Sequence, residues 1–433
     1  MLKTNGTKFF TRFMILQVIM MGVLFTAAQV FGLIEAEMFN TYLDHVLHLE
    51  AIFITIMVVF SALVGLITNI IFGIMSDNTR SRFGRRRPFI LFGGFLAGIS
   101  MIVYAYSGSF LMALIIDAIA IGAASNSYYM AQRALIPDLI DINHRGRVNG
   151  IINNFGTIGY GVGIALFLLL NEFYGIPDPE GGTMITQAGY IFALTIGGIL
   201  FILVAIIGFI GIREPNASEL PPKRPFTQEF KEIFNIRELR KNREFYKFVI
   251  AFTIFQAGNS VFLPFMFIYI FDLGFSTTTL LLIIGIAAPI LFLVTYLLGH
   301  FADKTNFGRK RLLAPTILIS SLGFFLVPFL AMTPEPIIPL YVLIFTLLLV
   351  MLISIMTPLS AWYQDLLPDD QRGKFLGILN ITNTLSQVIG VTVGGIAASL
   401  WGISWIFAFA PIFYLCSIPL FWTIKETLPA QTP

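Results

Sequence analysis

GIMSDNTRSRFGRRR, residues 73–87, sets five arginines and an aspartate between two long apolar runs. A charged side chain at the centre of a bilayer costs at least ~2.5–3.5 kcal/mol, so neither run can cross a membrane with this block inside it. The block therefore reads as a short aqueous turn between two spans. Half a chain later GHFADKTNFGRKR, residues 299–311, repeats the G-x-x-x-D opening and the G-R-[RK]-R close.

Composition agrees with a membrane setting. Of 433 residues 57% are hydrophobic and only 12% charged, against roughly 25% charged in a soluble domain. The chain reads as an all-α integral membrane protein. Its basic residues fall in short turns rather than along one face, which speaks against a nucleic-acid partner. Cys416 is the single cysteine, so no intrachain disulfide or thiolate metal site is available. His45, His48, His144 and His300 lack metal-ligand spacing, and no glycine-rich nucleotide loop is present. No cofactor, metal or catalytic group is expected, and the chain is not read as an enzyme.

A hydrocarbon core of ~30 Å needs ~20 apolar residues in helix. That ruler finds twelve spans, at about 13–43, 49–75, 88–106, 110–134, 148–171, 187–211, 246–271, 276–301, 312–332, 337–363, 373–399 and 402–424. The first is too long for a signal-peptide core and has no clear small-residue cleavage site behind it. All 27 lysines and arginines fall in the N-terminal segment, in the turns after even-numbered spans, or at the inner end of the fourth span, where Arg133 sits. The turns after odd-numbered spans carry only acidic charge, with Asp44, Glu172, Asp178, Glu180, Asp272 and Glu335. Both termini are therefore predicted cytoplasmic, with the protein in the plasma (inner) membrane as a monomer in the bilayer.

The one long hydrophilic connection divides the chain into a six-span bundle at 1–211, a cytoplasmic linker at 212–245 and a second six-span bundle at 246–433. Within the linker Phe226, Phe230, Ile233, Phe234 and Leu239 recur at helical spacing, which predicts an amphipathic helix on the inner membrane surface; a solvated linker is the alternative. The bundles echo each other. RGRVNGIIN (145–153) matches RGKFLGILN (372–380) at an offset of 227, close to the offset of 226 between Asp77 and Asp303. Two halves in one orientation predict parallel six-helix repeats, the plan of a transporter that rocks around a site between its halves.

The repeated turns suggest a gate. Asp77 lies at a helix C-terminus, where the macrodipole disfavours an anion, so it needs cationic or helix-start partners. Pairing of Asp77 with Arg85 or Arg86, and of Asp303 with Arg309, would latch one conformation. The plainer alternative is that these arginines hold the turn in the cytosol and attract anionic lipid at ~1 kcal/mol each.

These turns, with their SRFGRRRPFI continuation, resemble the cytoplasmic signature of the major facilitator superfamily, in the version carried by the glycoside-pentoside-hexuronide cation symporter group and its sucrose-transporter branch. QVFGLIEAEMFNTY in the first span resembles that group's Q-F-G-x-x-x-[QE]-x-x-x-x-T-P-Y. QRALIPDL in the fourth resembles C-R-A-L-L-A-D-L, and GILNITNTLSQ in the eleventh keeps the G-V-L-N-x6-Q spacing through Asn380 and Gln387. The resemblance implies the major facilitator fold and proton-coupled uptake of a sugar, often a di- or oligosaccharide, by alternating access. Two departures stand out: the paired aspartates of sodium-using members fall at Gly65 and Asn69, and the span-four aspartate of sucrose transporters falls at Gly122, with Asp117 five residues nearer the outside.

Ionisable groups at membrane depth mark functional sites. Glu35, at the [QE] position, and Asp117 are the candidates for proton coupling. Glu37, two residues on, could instead reach the outer interface, and Asp117 could simply accept hydrogen bonds from nearby hydroxyls. Amides suit sugar hydroxyls, since each offers donors and an acceptor. The substrate-binding candidates are Gln29, Asn126, Arg133, Gln256, Asn259, Asn380 and Gln387, with Tyr128 and Tyr129 as conceivable stacking platforms. Each amide could equally serve helix-to-helix bonding, and Arg133 could snorkel to the inner interface beside Asp138. Three functions remain open: a proton–sugar symporter, a facilitator or carrier of another organic solute, and a non-transporting membrane sensor.

Overall fold

The structure, a computed structural model, describes residues 11–140, 145–179, 181–214, 223, 225–227, 230, 242–302, 308–330, 337–366 and 372–427. Among these, twelve helices are long and apolar enough to cross a membrane. They are α1 (Arg12–His45), α2 (Ala51–Asn78), α3 (Arg87–Tyr104), α4 (Phe110–Leu139), α5 (Val148–Tyr174), α6 (Gln187–Gly211), α7 (Arg243–Asp272), α8 (Thr277–Leu298), α9 (Lys310–Leu330), α10 (Ile338–Ser360), α11 (Ile381–Trp401) and α12 (Ile403–Trp422). A two-stranded hairpin, β1 (Gly175–Pro177) with β2 (Thr183–Ile185), joins α5 to α6. Most of the 212–245 linker, including the expected interfacial helix, lies outside the described residues.

Local chemistry sets several helix ends. Thr11 accepts a hydrogen bond from the Met14 N–H at the start of α1, Ser109 does the same for α4, and Asn242 for α7. Gly402, at φ +91°, occupies the left-handed region between α11 and α12.

The chain divides into two compact units. One comprises Met1–His48, Phe60–Asp178 and Thr183–Lys231, the other Leu49–Val59, Pro179–Gly182 and Glu232–Pro433. In the first unit α3 packs on α6 and α4, and α1 on α5 and α6. Lipid is as apolar as leucine, so close backbone approach rather than water exclusion holds such helices together. At the α3–α6 crossing a Cβ on Gly98 would stand 2.5 Å from the Gly198 carbonyl oxygen, and one on Gly198 2.5 Å from that of Gly98. Only glycine fits on either side. The α1–α5 contact is pinned by Thr26, whose hydroxyl donates to the Phe155 carbonyl at 2.9 Å. Inside the unit Phe31 stacks on Phe201 at 4.2 Å and Phe39 on Tyr104 at 3.8 Å. In the second unit α7 packs on α11 and α12, and α9 on α12.

Among the described residues four helices depart from regular α geometry at one turn each: α7 has a 3-10 turn at Leu263–Phe265, and the other three have π-turns. The i→i+5 pattern of a π-turn occurs at Ile34–Met38 in α1, Ile115–Ile121 in α4 and Val350–Ser354 in α10. The first two carry the acidic residues of the membrane interior in the first unit.

Candidate functional site

π-turns widen the helix by one residue and recur at functional sites. In α4 the Gly122 N–H bonds to the Asp117 carbonyl across such a turn. This geometry sets residues 117 and 122 one above the other on the same face. Asp117 thus lies one turn from Gly122 on the same helix face, although it is five residues away in sequence.

Asp117 is 4% exposed, and the Ser61 hydroxyl of α2 donates to its carboxylate. Glu35, on the π-turn of α1, is half-buried and lies within electrostatic reach of Asp117. Tyr129 of α4 lies in the field of both Glu35 and Arg133. Ser61 is thus bonded to Asp117, while Glu35, Tyr129 and Arg133 are linked to that pair or to each other through their charges alone. Glu37, which the length of the first span could have carried to the outer interface, is instead 5% exposed, inside the protein.

The amides divide between two uses. Asn126 donates to Thr68 Oγ1 at 3.0 Å and to the Gly122 carbonyl at 2.7 Å, tying α4 to α2 below Asp117. Gln29 is half-buried against Gly156 and Gly159 of α5, and Arg133 is exposed. In the second unit Asn259, 5% exposed, donates to Gln256 Oε1 at 2.7 Å and accepts from the Tyr414 hydroxyl at 2.6 Å. Its amide is committed to helix packing at both ends. Gln387 is half-buried on α11. Tyr128 is fully buried, donates to the Leu24 carbonyl at 3.0 Å and packs on Phe201, so it is a core residue rather than a stacking platform. Asp303 and the side chains of Arg309 and Asn380 lie outside the described residues.

At the turn between α2 and α3, two carboxylates and two guanidiniums interlock within the first unit. Arg86 Nη2 donates to Asp77 Oδ1 at 2.5 Å, its Nε to Asp138 Oδ2 at 2.8 Å and its Nη1 to Ser76 Oγ at 2.7 Å. Arg85 Nη2 donates to both Asp138 oxygens at 2.8 and 2.9 Å and stands 3.5 Å from Asp77. Burial alone would lower the Arg86 pKa; the hydrogen bond and charge of Asp138, with those of Asp77, more than offset it and raise the pKa above its ordinary value. Arg133 belongs to another neighbourhood, since Asp138 is already taken by Arg85 and Arg86.

Sequence reasoning missed the fifth member of this turn. Glu214, just beyond α6, accepts the backbone N–H groups of Arg85 at 2.7 Å, Arg86 at 2.9 Å and Arg87 at 2.7 Å. Its carboxylate caps α3, where the unsatisfied N–H groups and the macrodipole favour an anion. Gly84, at φ +111°, makes room: a Cβ there would stand 2.7 Å from Glu214 Oε1. The second unit repeats the device, with the Lys310 N–H donating to Glu426 Oε2 at 3.0 Å. The signal was present as Ile212-Arg213-Glu214 and Ile424-Lys425-Glu426, a tripeptide echo that ends each half.

Comparison with known proteins bears on this arrangement. The family model for the Major Facilitator Superfamily matches residues 13–383 and 306–433. An uncharacterized MFS-type transporter of Methanocaldococcus jannaschii is 23% identical over 356 residues, which cover 81% of this chain and 83% of that one. Among solved structures, a bacterial homolog of the human lysosomal transporter Spinster aligns with a TM-score of 0.68 at 13% identity, over 95% of this chain and 96% of that one. The nucleoside transporter NupG aligns at 0.69 and 14% identity, over 95% and 100%. A peptide transporter, POT, in complex with sulfate aligns at 0.66 and 14%, over 94% of each chain. These three likenesses concern the fold.

Proposed function

The chain belongs to the Major Facilitator Superfamily, a membrane transporter by family and fold, and from that premise we propose that it carries a di- or oligosaccharide together with protons by alternating access. The observation that carries the reading is the pair Glu35 and Asp117, each on a π-turn, of α1 and α4, within electrostatic reach of each other, with Ser61 donating to the second. Two carboxylates held near each other away from water repel when both are ionised, so the pair favours sharing a proton. Loading and release of that proton couple the gradient to the cycle. Sugar is the cargo on the strength of the span-one, span-four and span-eleven resemblances. Gln29, Arg133, Gln256 and Gln387, with Asn380, supply donors and acceptors for its hydroxyls; Asn126 and Asn259 support them as packing amides.

The inner-turn lattice of Asp77, Arg85, Arg86 and Asp138 serves gating by keeping the ends of α2, α3 and α4 one rigid piece, with Asp303 and Arg309 as its counterpart. The lysine and arginine asymmetry supports cytoplasmic termini and a monomer in the inner (plasma) membrane. The halves at 1–211 and 246–433 would be the moving parts.

Purified protein in liposomes tests this. An acid-outside gradient should drive uphill uptake of at least one member of a di- and oligosaccharide panel, with nucleosides and peptides as comparison solutes. Glu35→Gln should abolish gradient-driven accumulation while sparing some sugar exchange. Uptake indifferent to the gradient removes proton coupling, and accumulation of a nucleoside or peptide in place of any sugar replaces the cargo.

A further inference from the structure

Glu37 is a carboxylate that the coupling pair does not use. It lies on the same π-turn as Glu35, but two residues round the helix, and Tyr160 of α5 lies in its field rather than Asp117. It is 5% exposed, and its Oε2, shut off from solvent, has no hydrogen-bond partner. No ion pair reaches it among the described residues. Of the neighbouring titratable groups, Asp117 acts on Glu35, Glu35 and Arg133 act on Tyr129, Tyr104 of α3 interacts with Asp117 and Tyr42, and Tyr190 of α6 with Asp44 and Tyr42. None of them supplies Glu37 with a cation.

An isolated ionised carboxylate in such a place is far more costly than a neutral one, and a buried acceptor without a donor carries its full desolvation penalty. Protonation of the carboxylate would remove most of that cost. A side chain that only filled this space would need no ionisable group, and an intramembrane carboxyl is a functional group by default. We propose that Glu37 is a second proton-carrying site of this transporter, facing α5 and separate from the Glu35–Asp117 pair. One proton binds at Oε2 in the buried state, and the same O–H bond breaks, releasing the proton to water, when α1 and α5 part enough to hydrate the carboxylate. The inference rests on the proton-coupled reading above, but its test does not depend on transport.

Infrared difference spectroscopy of the purified full-length protein at neutral pH reads it directly. A protonated buried carboxyl gives a carbonyl-stretch band well separated from carboxylate bands, and isotope-labelled glutamate assigns it to glutamate. The expected result is a glutamic-acid band that disappears in Glu37→Gln, survives in Glu35→Gln, and shifts on transfer to heavy water. Absence of the band in wild-type protein, its survival in Glu37→Gln, or a band that never shifts in heavy water would each overturn the proposal, the last because it marks a sealed structural acid. If Glu37→Gln does not fold, Glu37→Asp must move the labelled band out of the glutamate signal. Failure of gradient-driven sugar uptake alongside an exchanging Glu37 band would sink the symport reading and leave the site standing.

Discussion

Removing the carboxylate of Glu214 is the sharpest test of how the turn between α2 and α3 is built. The side chain accepts three successive backbone N–H groups at the start of α3, from Arg85, Arg86 and Arg87. Loss of a helix cap costs typically ~1 kcal/mol and up to ~2, and loss of the charge at the dipole adds about 0.3–1. Two of the three arginines whose N–H groups are stranded are nearly buried, Arg85 at 8% and Arg86 at 3% exposure, so water replaces the carboxylate poorly there. Glu214→Ala should therefore cost about 2–3 kcal/mol, whereas Glu214→Gln, which keeps one acceptor oxygen, should cost roughly half of that. For a unit of this size the alanine variant corresponds to a Tm lower by roughly 4–12 °C. Gly84→Ala should add ~1–2 kcal/mol through its left-handed backbone, and part of its cost should vanish in the Glu214→Ala background, because the clash partner is gone. The assay has to avoid tryptophan fluorescence: Trp362, Trp401, Trp405 and Trp422 all lie in the second unit, and the turn belongs to the first. Loss of the monodisperse peak in size-exclusion chromatography after heating is a suitable readout. Equal melting of Glu214→Ala and wild type, or strict additivity with Gly84→Ala, would refute the capping argument.

Two further outcomes follow from the same geometry. Arg86→Lys should destabilise the first unit nearly as much as Arg86→Ala in the heating assay, since one ammonium cannot reach Asp77, Asp138 and Ser76 together, while the exposed Arg82→Lys should leave the Tm within error. Tyr414→Phe should cost about 1–3 kcal/mol by leaving the buried Asn259 oxygen without its donor, read as a lower Tm with unchanged substrate affinity; weaker binding at unchanged Tm would return Asn259 to the cargo.

Patterns that repeat along the chain were legible before any coordinates. Charge exclusion at residues 73–87 and the length ruler led to twelve spans, because a bilayer constrains every segment by the same two rules. The resemblance at residues 73–90 led to the family for the same reason, a contiguous motif. Features made by distant pairs were not legible in this way. Glu214 meets Arg85 across 129 residues of sequence, and only the Ile-Arg-Glu and Ile-Lys-Glu echo hinted at it. The bond of Asn259 to Tyr414, 155 residues away, is a helix-packing role that composition cannot announce. The π-turn that brings Asp117 and Gly122 onto one face was not legible either, because counting in α-helical turns assumes a regular helix.

That irregular turn has a mechanical consequence. It holds one residue more than the α-turn it replaces, so sliding it a single step along the chain lets the residue it passes swing by about 100° around the helix axis while both helix ends stay put. The backbone hydrogen bonds are merely exchanged. Glu35, Glu37 and Asp117 therefore sit where a helix can act as its own swivel, turning a carboxyl from one neighbour toward another without moving the rest of the span.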